Sequence, residues 1–257
     1  MYFFHKPSDK EIALFLLAQA DQSFSYPHVG RTKYLGGRSE SQAGTSRAHT
    51  GKPASGVPQG YICDHRRTKL GTGLQVFQAG IDAINQWQMF NLGWLTIYGA
   101  GQPQAGLNVC VLAHHLGFWS LNACRIVYVI DQGSVALSDH DLGPVSNLQS
   151  AAMPGRNPSA LPDLQSANGS ARRYGFAYGT LFSHAERGEE RFLIEWLEDD
   201  TVWFDVFAFS LPSTLFVALG LPLARVLQRR FSRQASQAMV EFVADREKHS
   251  VISDQVV

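Results

Sequence analysis

Residues that could perform acid–base chemistry are concentrated in one stretch, GFAYGTLFSHAERGEERFLIEW, at residues 175–196. His184 could act as a general base or proton shuttle, with Glu190 as its carboxyl partner. Arg191, or Arg125 from the segment NACRIVYV, could hold an anionic ligand group through charge-assisted hydrogen bonds. The same residues are equally typical of the start of an edge strand, with His184 capping a turn. Both interpretations are open from the pattern alone.

Glu190 is the most informative of these residues because of its place in a predicted strand. Alternation places it on one face, and a tight turn at 198–200 returns the chain so that a second apolar row shares this face. The two rows are Glu190, Phe192, Ile194 and Trp196, followed by Val202, Phe204, Val206 and Ala208. A carboxyl at the head of an apolar row is desolvated, which predicts a raised pKa.

Three polar residues lie in another predicted strand. Arg125 is expected either to form a structural ion pair with Glu190 or Glu195, or to project into a cavity and bind a carboxylate. Asn122 and Tyr128 are predicted to share the opposite face, one at each end of an apolar row. That arrangement suits a pocket that orients a ligand, and it is also common at strand ends.

The elements that must position these residues are predicted from periodicity and capping signals. Ser8 and Glu11 form a capping box for a helix over about 9–20. Further helices are predicted at 74–90 and 213–245, with an extended segment at 60–73 and strands at 92–98, 106–114, 118–130, 174–182, 189–197 and 201–210. Consecutive strands between an early and a late helix indicate an α+β fold with an antiparallel sheet.

Two segments differ in composition from the rest of the chain. Residues 35–57 and 133–171 are rich in Gly, Ser, Ala and Pro, so they cannot bury enough apolar surface to offset their ordering entropy. Both are predicted to be disordered insertions. A flexible tail is predicted at 246–257, and the whole chain, 1–257, is predicted to be a single domain.

Composition excludes several classes of function. Lys plus Arg and Asp plus Glu are both 22, so no global field favours nucleic acid. Three cysteines without a CxxC pair predict a reducing, cytoplasmic location. No apolar run reaches the roughly 20 residues of a transmembrane helix. No ligand spacing for a metal and no phosphate-binding motif is present, so neither metal nor cofactor is predicted.

Several motifs together resemble the uncharacterised protein family 0548. They are YPHVG (26–30), the run from Gly60 to Trp94, NACRIVYVID (122–131), RRYGFAYGTLFSHAERGEERFLIE, VWFDVFAFSLP and PLARVLQRRF. The resemblance covers nearly the whole chain apart from the two insertions. It implies a START-type (Bet v 1-like) helix-grip fold. In this fold a curved antiparallel sheet wraps around a long C-terminal helix, and the gap between sheet and helix is often a hydrophobic ligand cavity.

Three functional hypotheses follow. The first is a module that binds a small hydrophobic ligand or lipid, with Arg125, Tyr178 and Glu190 at the ligand's polar end. Its other predicted contacts are Trp94, Asn122, Tyr128, Thr180 and Arg191. The second is an enzyme of cyclase, hydrolase or isomerase type that uses His184 and Glu190, which requires both to face one pocket. The third is a peripheral membrane or interaction protein that uses the arginines of segment 224–234.

Overall fold

The computed structural model describes the main chain of residues 1–35, 56–132, 172–212 and 221–254, and their side chains except those of 212, 221–224 and 250–254. Its helices are α1 (Asp9–Leu17), α2 (Gly73–Asn85) and α3 (Leu221–Asp254), with 3-10 turns at Arg31–Tyr34 and Gln88–Phe90. Its strands are β1 (Tyr2–Phe3), β2 (Ile62–Thr72), β3 (Leu95–Tyr98), β4 (Asn108–His115), β5 (Phe118–Gln132), β6 (Arg172–Thr180), β7 (Glu186–Trp196) and β8 (Thr201–Pro212).

Helix α1 begins where the sequence predicts. The Glu11 amide donates to Ser8 Oγ at 3.3 Å, and the Ser8 amide donates to Glu11 Oε2 at 2.8 Å, so both halves of the capping box are formed. The helix ends at Leu17, before the predicted residue 20. Ile12, which is fully buried, fixes the helix to Cys110 and Leu112 on β4.

The described strands form one antiparallel sheet in the order β2-β8-β7-β6-β5-β4-β3, with β1 added to β5. Its central hairpin, β7–β8, has the predicted register: Trp196 lies opposite Val202, and Phe192 lies opposite Val206. Glu190 lies opposite Ala208 in the same ladder. The predicted α+β class and the curved antiparallel sheet are therefore confirmed.

The sheet has two covered faces, which are called inner and outer below. The inner face packs against α2 and α3 through a large apolar core that includes Phe176, Phe192 and Phe204, all fully buried. The outer face is covered by α1 at one end and by the segment 24–35 at the other. Because both faces are buried, residues of both parities along the central strands are shielded from water.

The long C-terminal helix lies against the inner face, as a helix-grip fold requires. Helix α3 contacts α2, β2 and β8, and its buried residues Ala235, Met239 and Val243 belong to the inner core. It is described from Leu221, whereas residues 213–220 of the predicted helix lie outside the described residues. It also continues to Asp254, so the predicted flexible tail at 246–257 is helical over 246–254.

The predicted insertions lie mostly outside the described residues, which omit 36–55 and 133–171. The ends of the first insertion, however, belong to the fold. Leu35 is buried at 5% exposure, and both Leu35 and Val57 pack in the outer core with Tyr26 and Phe209. The bounds predicted for the first insertion, 35–57, were therefore wrong by at least one residue at each end.

Within the described ranges, no helix combines the length and apolar character needed to cross a membrane. Over the same ranges, no group of three or more His, Cys, Asp or Glu side chains is arranged to hold a metal ion.

Candidate functional site

A cavity of about 170 Å³ lies between the inner face of the sheet and α3. Strands from most of the sheet line it, together with the 3-10 turn at Gln88–Phe90 and one face of α3. Its apolar walls are Phe90, Trp94, Leu95, Val111, Val206, Leu227 and Phe231. Aromatic residues therefore divide into two groups: one fills the core, and the other borders this volume.

One end of the cavity is acidic. Glu190 projects into it, as the strand alternation predicts, and its Oε2 accepts a hydrogen bond from the Tyr178 hydroxyl at 2.7 Å. Glu186 lies four residues earlier on β7, on the same face, and also lines the cavity. Gln228 of α3 donates from Nε2 to Glu186 Oε2 at 2.9 Å and to Ser210 Oγ at 2.8 Å.

The surrounding protein opposes ionisation of both carboxyls. Burial raises the pKa of Glu190 to about 8, even though the Tyr178 hydrogen bond favours the charged form. Burial also raises the pKa of Glu186 to about 6, against the opposing effect of hydrogen bonds from Gln228 and Ser210. Both carboxyls are half-buried and line the cavity.

The acidic end continues across β8 onto β2. Asp64 and Glu190 both lie opposite Ala208, one on each side, so the three residues form a row across three strands. Burial raises the pKa of Asp64, and Arg225 of α3 counters this with an ion pair at 3.2 Å. Arg66, two residues further along β2, also lines the cavity.

His184 and Glu190 line the same cavity, which is the outcome that the acid–base hypothesis required. The Glu186 amide donates to His184 Nδ1 at 2.9 Å. The Glu186 carbonyl oxygen lies 3.1 Å from the same nitrogen, so the backbone of Glu186 engages Nδ1 in either tautomer of the neutral ring. Burial lowers the pKa of His184 to about 4, so the ring is neutral near neutral pH. Nε2 is therefore the ring nitrogen left for a ligand, as donor or acceptor according to the tautomer.

Three other predicted contacts line the cavity, but their polar atoms are already engaged. Trp94 donates from its indole nitrogen to Gln234 Oε1 at 2.6 Å. Asn122 donates to Ser120 Oγ at 3.0 Å and accepts from the Ala185 amide at 3.3 Å. The Thr180 hydroxyl accepts from the Gly188 amide at 2.9 Å. These side chains shape the wall, and Asn122 and Thr180 also fix the β6–β7 turn.

Arg125 does not reach the cavity, and neither predicted role was right. Its guanidinium donates on the outer face to Asn108 Oδ1 at 2.7 Å and to the carbonyl oxygens of Gln19 and Ala20 at 2.9 and 2.8 Å. It also lies over the ring of Phe24. It therefore joins β5 to the chain that follows α1, and it pairs with neither of the predicted glutamates.

Tyr128 was wrongly predicted to share a face with Asn122. The β5–β6 register shifts between Ile126 and Tyr128, where a bulge inserts one extra residue and reverses the alternation. Tyr128 consequently points to the outer face, where its hydroxyl lies 2.7 Å from Thr32 Oγ1. Asn122 and Ile126, which precede the bulge, remain on the inner face.

Arg191 also lies on the outer face, so the prediction that it holds a ligand was wrong. The alternation that turns Glu190 inward turns its neighbour outward. The guanidinium of Arg191 donates to the carbonyl oxygens of Thr32 and Leu35 at 2.8 and 2.6 Å, and to Asp205 Oδ1 at 2.8 Å. It joins the segment 24–35 to the sheet.

Glu189, which neighbours both Glu190 and Gly188 on β7, is the centre of this outer contact. It is only 2% exposed and accepts from the Tyr26 hydroxyl at 2.7 Å, the Gly30 amide at 2.6 Å and the Thr32 amide at 2.9 Å. The Thr32 hydroxyl donates as well. Gly30, at a φ of 81°, adopts a left-handed turn that a side chain would disfavour. The motif YPHVG therefore holds Glu189.

Sequence reasoning missed three members of the acidic end: Glu186, Asp64 and Gln228. A signal existed for Glu186, because it is four residues before Glu190 and so shares its face in a strand. Asp64 and Gln228 had no comparable signal, since neither alternation within β2 nor the periodicity of α3 identifies the partner element.

Replacing Gly188 by alanine is expected to lower the free energy of unfolding by about 2 kcal/mol or more. Gly188 separates Glu186 from Glu190, and a Cβ at this position would lie 1.9 Å from the Phe209 carbonyl oxygen of β8. Chemical denaturation would measure the loss. Gly93→Ala is the matched control, because nothing lies within 4 Å of a Cβ there; equal stability of the two variants would contradict the close approach.

The predicted basic face of α3 is partly used within the fold. Arg225 pairs with Asp64, and the guanidinium of Arg230 lies 4.9 Å from the ring centre of Trp94. Arg229 and Arg233 are exposed. Half of the four arginines proposed for a membrane or partner contact thus have an internal role.

Comparison with known proteins gives consistent relatives. The sequence model of the family described as "Domain of unknown function (DUF1990)" matches residues 44–238. A UPF0548 protein of Dictyostelium discoideum is 27% identical over 96% of this chain and 98% of its own. A UPF0548 protein of Deinococcus radiodurans is 27% identical over 93% of this chain and 98% of its own. A third UPF0548 protein, from Arabidopsis thaliana, is 24% identical over 72% of this chain and 74% of its own.

Among solved structures, the chain is similar to Ara h 8.0201, with a TM-score of 0.39 and 10% identity, over 72% of this chain and 99% of that one. It is also similar to a hypothetical protein from Helicobacter pylori, with a TM-score of 0.40 and 11% identity, over 78% of this chain and 99% of that one.

Proposed function

The chain belongs to the family described as Domain of unknown function (DUF1990), and from the geometry of its cavity we propose that it is a binding module for a small apolar or amphipathic molecule. The ligand lies between the inner face of the sheet and α3. The apolar walls around Phe90, Leu95 and Phe231 enclose its hydrophobic part, and Tyr178 and Glu190 orient its polar end.

One observation carries this proposal: a volume of about 170 Å³ lies beside a core that is otherwise filled with fully buried aromatic rings. The apolar side chains that line this volume lack packing contacts with other protein atoms on that side. An apolar ligand restores those contacts, and each methylene it buries contributes about 0.8 kcal/mol. A mostly apolar pocket with a few convergent polar groups is the usual form of a small-molecule site.

A cytoplasmic location is part of the proposal. Cys63, Cys110 and Cys124 are all free thiols, which supports a reducing compartment.

Ala208→Leu is expected to weaken ligand binding by about tenfold, because the larger side chain fills the cavity between Asp64 and Glu190. Fluorescence titration with Nile red, an uncharged apolar dye, would measure the change. Ala105→Leu, at an exposed loop position, is the matched control and should bind the dye as the native protein does. Native mass spectrometry of the purified protein would show any retained ligand. If no ligand is retained and Ala208→Leu binds Nile red as tightly as the native protein, the cavity is not the binding site.

A second candidate function, an acid–base enzyme, is supported by one observation: His184 and Glu190 share the cavity. In such an enzyme a neutral Glu190 would supply the proton and His184 would contact the ligand through Nε2, since the backbone of Glu186 engages Nδ1. The two functions separate when a recovered ligand is incubated with the protein. Chemical change of that ligand, lost in Glu190→Gln while binding persists, favours the enzyme.

A further inference from the structure

We infer that the ligand of this cavity carries a positively charged amine at the end of its apolar part, and that Glu190 and Glu186 receive the amine hydrogens. This inference rests on the proposed function and specifies the chemical class of ligand. It is carried by the hydrogen bonds that the inward carboxyls lack, by the distribution of charge around them, and by their place at one end of an apolar cavity.

Adjacent glutamates on β7 differ in how completely their oxygens are used. Glu189, on the outer face, accepts four hydrogen bonds from Tyr26, Gly30 and Thr32, which fills the usual capacity of a carboxylate. From the described residues, Glu190 receives a hydrogen bond from Tyr178, and Glu186 receives hydrogen bonds from Gln228 and Ser210. Lone pairs therefore remain on both inward carboxyls, which are half-buried and line the cavity, so a ligand there can donate hydrogen bonds to them.

The charged and titratable groups that face Glu190 come from every element packed around it. They are Glu186 on β7, Asp64 and Arg66 on β2, Tyr178 on β6, Cys124 on β5, His115 on β4, His184 in the β6–β7 turn, and Arg225 on α3. Arg225 is paired with Asp64 and also acts on Glu186, and Arg66 is the one arginine of the described lining, so three carboxyls face two arginines.

An anionic headgroup does not fit this end of the cavity. It would have to lie beside two carboxyls, and a like charge in a desolvated site is costly. The arginines that the sequence offered for an anion, Arg125 and Arg191, are bonded on the outer face. An ammonium group, in contrast, has three donors and no acceptor, which complements two carboxyls with unfilled lone pairs.

Binding of an amine is linked to the release of a proton. Because burial raises the pKa of Glu190 to about 8, this carboxyl is largely protonated near neutral pH before an amine binds. An ammonium ion favours the carboxylate, so Glu190 must lose its proton when the amine binds. The affinity for an amine is therefore expected to rise as pH increases towards and through about 8, until the amine itself loses its charge. A neutral alcohol should not follow this dependence.

Isothermal titration calorimetry with octylamine, octanol and octanoate tests the inference, because the three ligands share a chain and differ in headgroup charge. We expect octylamine to bind at about pH 9 at least tenfold more tightly than octanol, and octanoate to bind most weakly, because hydrogen bonds to charged groups contribute most. Glu190→Gln should reduce octylamine affinity by about tenfold and change octanol affinity by less than about twofold. Glu198→Gln, in the exposed β7–β8 turn, is the matched control and should alter neither affinity.

The outcomes distinguish this inference from the proposed function. If octanol binds as tightly as octylamine, if octanoate binds best, or if Glu190→Gln leaves the octylamine affinity unchanged, the amine inference is wrong and the cavity remains the site. If none of the three ligands binds and Ala208→Leu has no effect on Nile red, the proposed function fails. Glu186→Gln provides the same measurement should Glu190→Gln not fold.

Discussion

Glu189→Gln is expected to lower the free energy of unfolding by about 3 kcal/mol, because two buried donors would then face an amide NH₂ group instead of an acceptor. The Glu189 carboxylate accepts hydrogen bonds at both oxygens from Tyr26, Gly30 and Thr32. A glutamine presents one oxygen and one NH₂ group, so it can satisfy only half of them. Glu189 itself is only 2% exposed, so a donor that loses its acceptor in this contact pays a large part of its desolvation cost.

Urea denaturation followed by circular dichroism would measure this loss. Glu198→Gln makes the same chemical change on the same hairpin at an exposed position, and it should alter stability by less than about 0.5 kcal/mol. Tyr26→Phe removes only one of the four donors and should cost less than Glu189→Gln. A Glu189→Gln protein as stable as the Glu198→Gln control would show that the outer contact does not stabilise the fold.

Glu190→Gln is expected to raise the free energy of unfolding, in contrast to Glu189→Gln, and the size of this effect depends on pH. At about pH 9 the variant should be more stable than the native protein by on the order of 3 kcal/mol, because glutamine remains neutral where Glu190 must ionise. The Tyr178 hydroxyl can still donate to the glutamine oxygen, so the hydrogen bond at 2.7 Å is retained. At about pH 4 the two proteins should be nearly equal in stability, because Glu190 is then largely protonated in both the folded and the unfolded states.

The direction follows from proton binding. The folded protein holds a proton on Glu190 up to a pKa of about 8, whereas the unfolded chain releases it near the usual value of 4.5. Between these values the folded state binds more protons, so this group's contribution to stability falls as pH rises. Thermal unfolding of both proteins across this range would test the prediction. Parallel pH profiles for the native protein and Glu190→Gln would contradict a desolvated carboxyl.

The sequence was sufficient for the parts of the fold that depend on local periodicity. The inward row from Glu190 to Trp196, and its partner row on β8, follow from two-residue alternation and a short turn. The capping box of α1 depends on residues three apart. Family motifs supplied the helix-grip arrangement, which the packing of α3 against β2 and β8 confirms.

The site could be predicted only where alternation was unbroken. Tyr128 was misplaced because a bulge reverses the parity of β5, and no residue type in that strand marks the bulge. Arg125 and Arg191 were misplaced because their partners, Gln19 and Thr32, lie more than 100 residues away in the chain. Such long-range contacts leave no periodic pattern near either partner.

The alternating charges of β7 also act against misfolding. If this strand slipped by one residue relative to its neighbours, Glu189 and Arg191 would enter the apolar interior without partners, and Phe192 would turn to the outer face. Each buried, unpaired charge is strongly unfavourable, so the slipped pairing is a poor competitor of the native one. Glu189 thus discriminates between alignments of the central hairpin as well as binding the chain at 24–35.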